Sequence, residues 1–206
     1  MKVIAFNGSP HNNGVIANGI SLIQKELENA EIDVEVIHVG SKHISGCTDC
    51  RQCRETKRCI IKDDVVNDAL DKLQSADGII LGCPVYYGGV AGTFKCFLDR
   101  LFFAGLKMPF KVGATVVSLR RSGGISVFHQ LNNYFNLAEI IITPGVYWNI
   151  MHGNSAHETL EDQEGQQIME IQGRNMAWLI KTLAAGKMTV PPPPQVDERK
   201  RTNFIH

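Results

Sequence analysis

Long apolar runs are missing from this 206-residue chain, and no stretch reaches the roughly 18 residues that a membrane-spanning helix needs. Net charge is missing too. Lys+Arg and Asp+Glu each number 21, so the formal net charge is zero and no global field draws the chain to nucleic acid or an anionic membrane. Neither is expected as a partner. Met1 to Ser9 runs straight into a strand-like segment and a glycine turn, without the charged head, long apolar stretch and cleavage site of a signal peptide. A cytoplasmic location is the expectation. Internal repeats are not visible. What remains is ordinary: 44% hydrophobic and 20% charged residues, as in a soluble globular protein. This length suits one domain whose core can stand without disulfides or metals.

The chain alternates strands and helices. Lys2 to Phe6 is a short apolar run ending at a glycine turn. Ile16, Ile20, Ile23 and Leu27 form one apolar stripe along a helix predicted from Gly14 to Glu28. Asp33 to Val39 alternates as an outer strand does. Further strands are expected at Gly78–Gly82, Val112–Leu119 and Ile140–Thr143. Further helices are expected at Asp63–Ser75, Ala91–Phe102, Ser126–Leu137 and Gly165–Ala184. Single helices between strands imply right-handed crossovers and a parallel sheet covered on both faces. Five strands suit a three-layer, flavodoxin-like α/β fold of order 2-1-3-4-5. The domain is read as residues 1–185, with a cysteine-rich insertion at 43–62. Residues 186–206 form a proline-rich tail, in which Pro191 to Pro194 are extended and read as a loose end.

Ligands in such sheets bind beyond the carboxyl ends of the strands, where strand order reverses. Three loops fall there. The first, Asn7 to Gly14, brings backbone N–H groups, a helix N-terminus and the Ser9 hydroxyl together, which is chemistry for a phosphate monoester. Its spacing fits neither the dinucleotide nor the Walker pattern; an ordinary strand-to-helix turn is the alternative. The second, Cys83-Pro84-Val85-Tyr86-Tyr87-Gly88-Gly89, offers backbone donors and flat surfaces to a planar heterocycle. The third, Arg120-Arg121-Ser122-Gly123-Gly124, offers two cations that would balance an electron-rich ring. Local packing and solvent exposure are the plainer readings of these two.

Six cysteines are present, and without an export signal their chemistry is ligation or redox rather than a disulfide framework. Cys47, Cys50, Cys53 and Cys59 are separated by two, two and five residues. Such gaps let thiolates face a common centre and favour an iron–sulfur cubane over zinc, four reduced thiols being the alternative. Arg51, Arg54, Lys57 and Arg58 would offset its charge. Cys83 and Cys96 read as small buried hydrophobes. Tyr147, Trp148 and His152 either close a ligand pocket or a subunit contact, or simply pack.

Asn-Gly-Ser-Pro at 7–10, Pro-Val-Tyr-Tyr at 84–87 and Phe-x-x-Asp-Arg ending at Arg100 resemble the NADPH-dependent FMN reductase group of flavodoxin-like proteins, over roughly residues 2 to 185. The resemblance implies non-covalent FMN, with phosphate on the loop from Ser9 through His11, Asn13, Gly14 and Val15 to Ile16. The ring would lie against Pro84–Gly89 and Arg121–Gly124. Where the group often has Asn-Thr, this chain has Val15-Ile16, so backbone groups, Ser9 and His11 or Asn13 must serve. The cysteine spacing resembles that of the iron-sulfur flavoproteins in the same group and implies a [4Fe–4S] cluster. Two activities are consistent with this: an NAD(P)H oxidoreductase serving a small acceptor, and an electron carrier working with a ferredoxin-like protein. The resemblance also implies a homodimer or homotetramer.

Overall fold

The computed structural model describes residues 1–104, 108–194, 202 and 204. Its strands are β1 (Lys2–Asn7), β2 (Asp33–His38), β3 (Gly78–Tyr86), β4 (Gly89–Val90), β5 (Val112–Leu119), β6 (Ile141–Ile142) and β7 (Ile150–His152). Its helices are α1 (Val15–Asn29), α2 (Cys53–Thr56), α3 (Val66–Gln74), α4 (Gly92–Phe103), α5 (Gly124–Leu137) and α6 (Gln163–Gly186). The main path of the sheet runs β2-β1-β3-β5-β6, parallel throughout. This is the expected 2-1-3-4-5 order.

The central strands owe their places to burial on both faces. Val3, Ile4, Ala5 and Phe6 of β1 are wholly buried, as are Ile79, Ile80 and Leu81 of β3. A parallel sheet reads as a continuous apolar run because helices cover it on both sides. On one side the α1 stripe of Ile16, Ile20, Ile23 and Leu27 packs with Ile168, Met169 and Met176 of α6. On the other, Phe94, Phe97 and Leu101 of α4 join Leu70 of α3 and Leu131 and Phe135 of α5. Burying one such side chain contributes about 1.5–3 kcal/mol. Among the described residues no helix is long and apolar enough to cross a membrane.

Two details differ from the sequence expectation. The sheet has seven strands rather than five, because the outer position beside β5 is divided into β6 and β7 and the short β4 pairs with the end of β3. β6 pairs with Val112 and Gly113, and β7 pairs with Val117, Ser118 and Leu119. Pro144 has no N–H to continue a ladder, so the chain leaves the sheet after Thr143 and returns at Asn149, whose carbonyl accepts from Val117 N at 3.0 Å. The second difference is that β3 continues through Tyr86 and turns back into β4, with Val85 opposite Val90 and Tyr86 opposite Gly89. Tyr87 (φ +50°) and Gly88 (φ +71°) form the two-residue corner. Positive φ at both central residues matches the twist of a tight hairpin.

Candidate functional site

Backbone hydrogen bonds bring the first loop together at the carboxyl edge. Gly8 N donates to Gly82 O at 2.8 Å, and Val39 N donates to Asn7 O at 2.8 Å. Asn7 is buried, and its Oδ1 accepts from Ser9 N at 2.9 Å. Ser9 is buried as well, and its Oγ accepts from His11 N at 3.2 Å, which leaves the hydroxyl hydrogen to donate elsewhere. His38 Nε2 lies 2.7 Å from the Ser9 carbonyl; that oxygen only accepts, so the ring donates there. Gly40 presses on this loop so closely that a Cβ would stand 2.2 Å from the carbonyl carbon and oxygen of Ser9.

Helix α1 begins directly after this loop with Gly14 at its N-cap and no side-chain cap. Its first N–H groups therefore face outward with the positive end of the helix dipole. Val15 and Ile16 send their side chains into the core, so at those positions only the backbone is offered. His11 and Asn13 are exposed.

The second and third loops touch each other. Gly123 adopts φ +88°, and a Cβ there would meet Val85 Cγ1 at 3.2 Å and Gly88 Cα at 3.3 Å. Glycine is needed for both reasons. Pro84 is buried, whereas Tyr86 and Tyr87 are exposed, Tyr87 completely. A tyrosine at positive φ is uncommon, and here the hairpin corner leaves its side chain fully exposed. Burial pushes the Tyr86 hydroxyl pKa up. Arg120, Arg121 and Ser122 are exposed, and Gly124 is buried under the start of α5. Beside them Arg121, Gly123, Tyr147, Trp148 and His152 line a cavity of about 270 Å³. Cys83 lies beneath the second loop as expected, fully buried, its thiol pushed up to about 12 by burial.

The four segment thiols share one small cavity of about 20 Å³ with Arg100 and Phe103. Cys47 and Cys50 are exposed, Cys53 is buried and Cys59 lies between. Burial pushes the Cys53 thiol up, and Cys59, Cys50 and Cys47 add repulsion in the same direction. All four thus lie within electrostatic reach. Among the described residues no three His, Cys, Asp or Glu side chains stand at metal-binding spacing. The donor set fits an iron–sulfur group; the side chains do not stand in a closed coordination sphere. Arg51 and Arg58 are engaged by Asp49 and Asp71. The buried cation at this site is instead Arg100, which sequence reasoning placed only within a helix motif. Asn67, which clamps the Cys59 backbone, was missed as well: its Oδ1 accepts from Cys59 N at 2.9 Å, and its Nδ2 donates to Cys59 O at 3.0 Å.

The sheet order, the three loops at its carboxyl edge and the helices on both faces define a flavodoxin-like protein. The chain belongs to the NADPH-dependent FMN reductase family, which it matches over residues 1–155. It is similar to an iron-sulfur flavoprotein of Methanocaldococcus jannaschii, with 32% identity over 196 residues, 89% of this chain and 99% of that protein. Among solved structures it resembles RosB bound to 8-demethyl-8-formylriboflavin-5'-phosphate, with a TM-score of 0.69 and 14% identity, over 100% of this chain and 97% of that one. It also resembles a flavodoxin from the domain Archaea, with a TM-score of 0.57 and 18% identity, over 88% and 99% of the two chains. The two structural likenesses speak for the fold. Family membership makes the chain an FMN flavoprotein of the oxidoreductase kind.

Proposed function

We propose that this chain takes electrons from NADH or NADPH through FMN and passes them to a small acceptor, with a [4Fe–4S] cluster on Cys47, Cys50, Cys53 and Cys59. The observation that carries the reading is the uncapped start of α1 beside the buried Ser9 hydroxyl. Free N–H groups and one hydroxyl donor there suit a dianionic phosphate better than any neutral ligand.

In this reading each loop has a task. Gly14, Val15 and Ile16 offer backbone N–H groups to the phosphate, and Ser9 adds its hydroxyl. His11 and Asn13 flank it from the solvent side. Pro84 through Gly89 form the floor for the ring, and the Tyr87 side chain stands free to cover it. Ser122, Gly123 and Gly124 supply backbone donors at the ring edge, and Arg120 and Arg121 hold positive charge near it. FMN supplies the hydride and single-electron chemistry when bound, so the protein's work is binding, orientation and electrostatics.

Ser9→Ala is expected to weaken FMN about fivefold, the effect of one hydrogen bond worth ~1 kcal/mol, while riboflavin binding stays as it was. Fluorescence titration with both ligands decides this, and equal weakening of the two would remove the phosphate role. A second reading, an electron carrier for a ferredoxin-like partner, is favoured by the exposure of Cys47 and Cys50 at the mouth of the thiol cavity. Rapid NADPH oxidation by flavin-loaded protein supports the oxidoreductase. Four irons per chain with negligible NAD(P)H oxidation support the carrier.

A further inference from the structure

Arg100 is the largest fully buried side chain among the described residues. Arginine is almost never buried unless paired. Here every N–H of the guanidinium has a partner. Nη1 donates to the Ser45 carbonyl at 3.2 Å and to Asp64. Nη2 donates to the Ile61 carbonyl at 3.1 Å and to Asp64 Oδ1 at 3.2 Å. Nε donates to Cys59 Sγ at 3.2 Å. One side chain on α4 thus ties both ends of the cysteine segment, its entry at Ser45 and its exit at Ile61 and Asp64, and also holds the sulfur of its last thiol.

Two features give this contact more than a bracing role. Asp64 is as buried as Arg100, with side-chain exposures of 3% and 1%, so the two charges cancel locally. What reaches the thiol site is therefore a short-range N–H dipole fixed on one sulfur, not a free cation. The four thiols also differ in their bonds: Cys53 Sγ donates to the Phe103 carbonyl at 3.5 Å, whereas Cys59 Sγ accepts.

We propose that Arg100 is a positioning residue of the thiol site, holding the Cys59 sulfur at the shared cavity and raising, through its Nε–H, the reduction potential of the iron–sulfur group that Cys59 would ligate. This rests on the cluster reading above. An iron–sulfur group held there would carry more negative charge on its sulfurs once reduced, by FMN or by an added reductant, with no protein bond broken and no proton moved. A fixed donor stabilises that state more than the oxidised one, so hydrogen bonds to sulfur set the potential. Lysine at this position keeps a cation for Asp64. Its single ammonium cannot also reach two carbonyls and a sulfur in a planar fork.

Asn67 supplies the control, because it clamps the backbone of Cys59 and touches no sulfur. The full chain is reconstituted anaerobically with iron and sulfide and titrated with dithionite, followed by electron paramagnetic resonance, iron per chain and FMN per chain. Arg100→Lys is expected to move the potential negative, changing the reduced-to-oxidised ratio at fixed potential about tenfold, or about 59 mV for one electron. FMN content stays at the wild-type level. Asn67→Ala is expected to lose iron more readily while its loaded fraction keeps the wild-type potential. An unshifted potential in Arg100→Lys, or an equal shift in Asn67→Ala, overturns the proposal. If Arg100→Lys does not fold, the double variant Arg100→Gln/Asp64→Asn removes both buried charges together and must show the same negative shift. A wild type that takes up no iron ends the cluster reading and this role with it; a loaded wild type beside an unshifted Arg100→Lys ends this role alone.

Discussion

The sheet-edge loops and the cysteine segment are built by different means. The loops are held mainly by main chain: Gly8 N on Gly82 O, Val39 N and Gly40 N on Asn7 O, and Gly123 against Gly88, with the Asn7, Ser9 and His38 side chains adding bonds to the first loop's backbone. The cysteine segment joins β2 to α3 without a strand of its own, and side chains hold it: Asn67 from α3, Arg100 from α4, and the segment's own buried Cys53. A site made of backbone tolerates exchange of its side chains, which is how Val15 and Ile16 can start α1 and point into the core. A site made of side chains has no such tolerance.

The sharpest way to break the first half of that contrast is Gly40→Ala. The added carbon has no room beside the Ser9 carbonyl, and backbone cannot rotate away as a side-chain tip does. Overpacking of this kind costs about 1–3 kcal/mol, and the first loop must shift to accommodate it. Urea unfolding should show that loss, and FMN retention should fall with it. Wild-type stability and flavin content in this variant would mean that the loop is not fixed by main-chain contact.

The second half is tested by Cys50→Ala. Cys50 is exposed and contributes nothing to the core, so stability should change by less than ~0.5 kcal/mol. Iron content is expected to vanish while FMN stays bound. Loss of both together would show that the two regions are one cooperative site.

The same contrast explains what could be read in the sequence. The central strands were legible because strands buried on both faces are apolar throughout, and the α1 stripe because its spacing is helical. The three loops followed from strand order alone. The hairpin after Pro84 was not legible: its corner carries Tyr87 where asparagine or glycine is the usual signal. The divided outer strand had its signal in Pro144-Gly145, but three residues of β7 are too short to register a period. Arg100 illustrates the deeper limit. Its partners Ser45, Cys59, Ile61 and Asp64 lie 36 to 55 residues earlier, and no local pattern encodes a contact of that separation.

The smallest effect is expected at the far edge of the sheet, where side chains support main chain. Glu35 of β2 accepts from Lys2 Nζ at 2.6 Å and also from Lys72 of α3. The hydrogen bond from Lys2, then that from Lys72, holds its carboxyl below the ordinary value of 4.5. A carboxyl whose folded pKa lies below its unfolded one adds stability that is complete above about pH 4.5 and is lost as pH falls through the folded value. Both ion pairs are partly exposed, so together they contribute about 1 kcal/mol at most. Glu35→Gln should therefore be less stable than wild type at pH 7 by that amount, and the two unfolding curves should converge in acid. High salt should narrow the gap as well. FMN and iron content must both stay unchanged, since the pair braces β2 against β1 and α3 and touches neither site. A gap that persists at low pH would trace the effect to packing instead of charge.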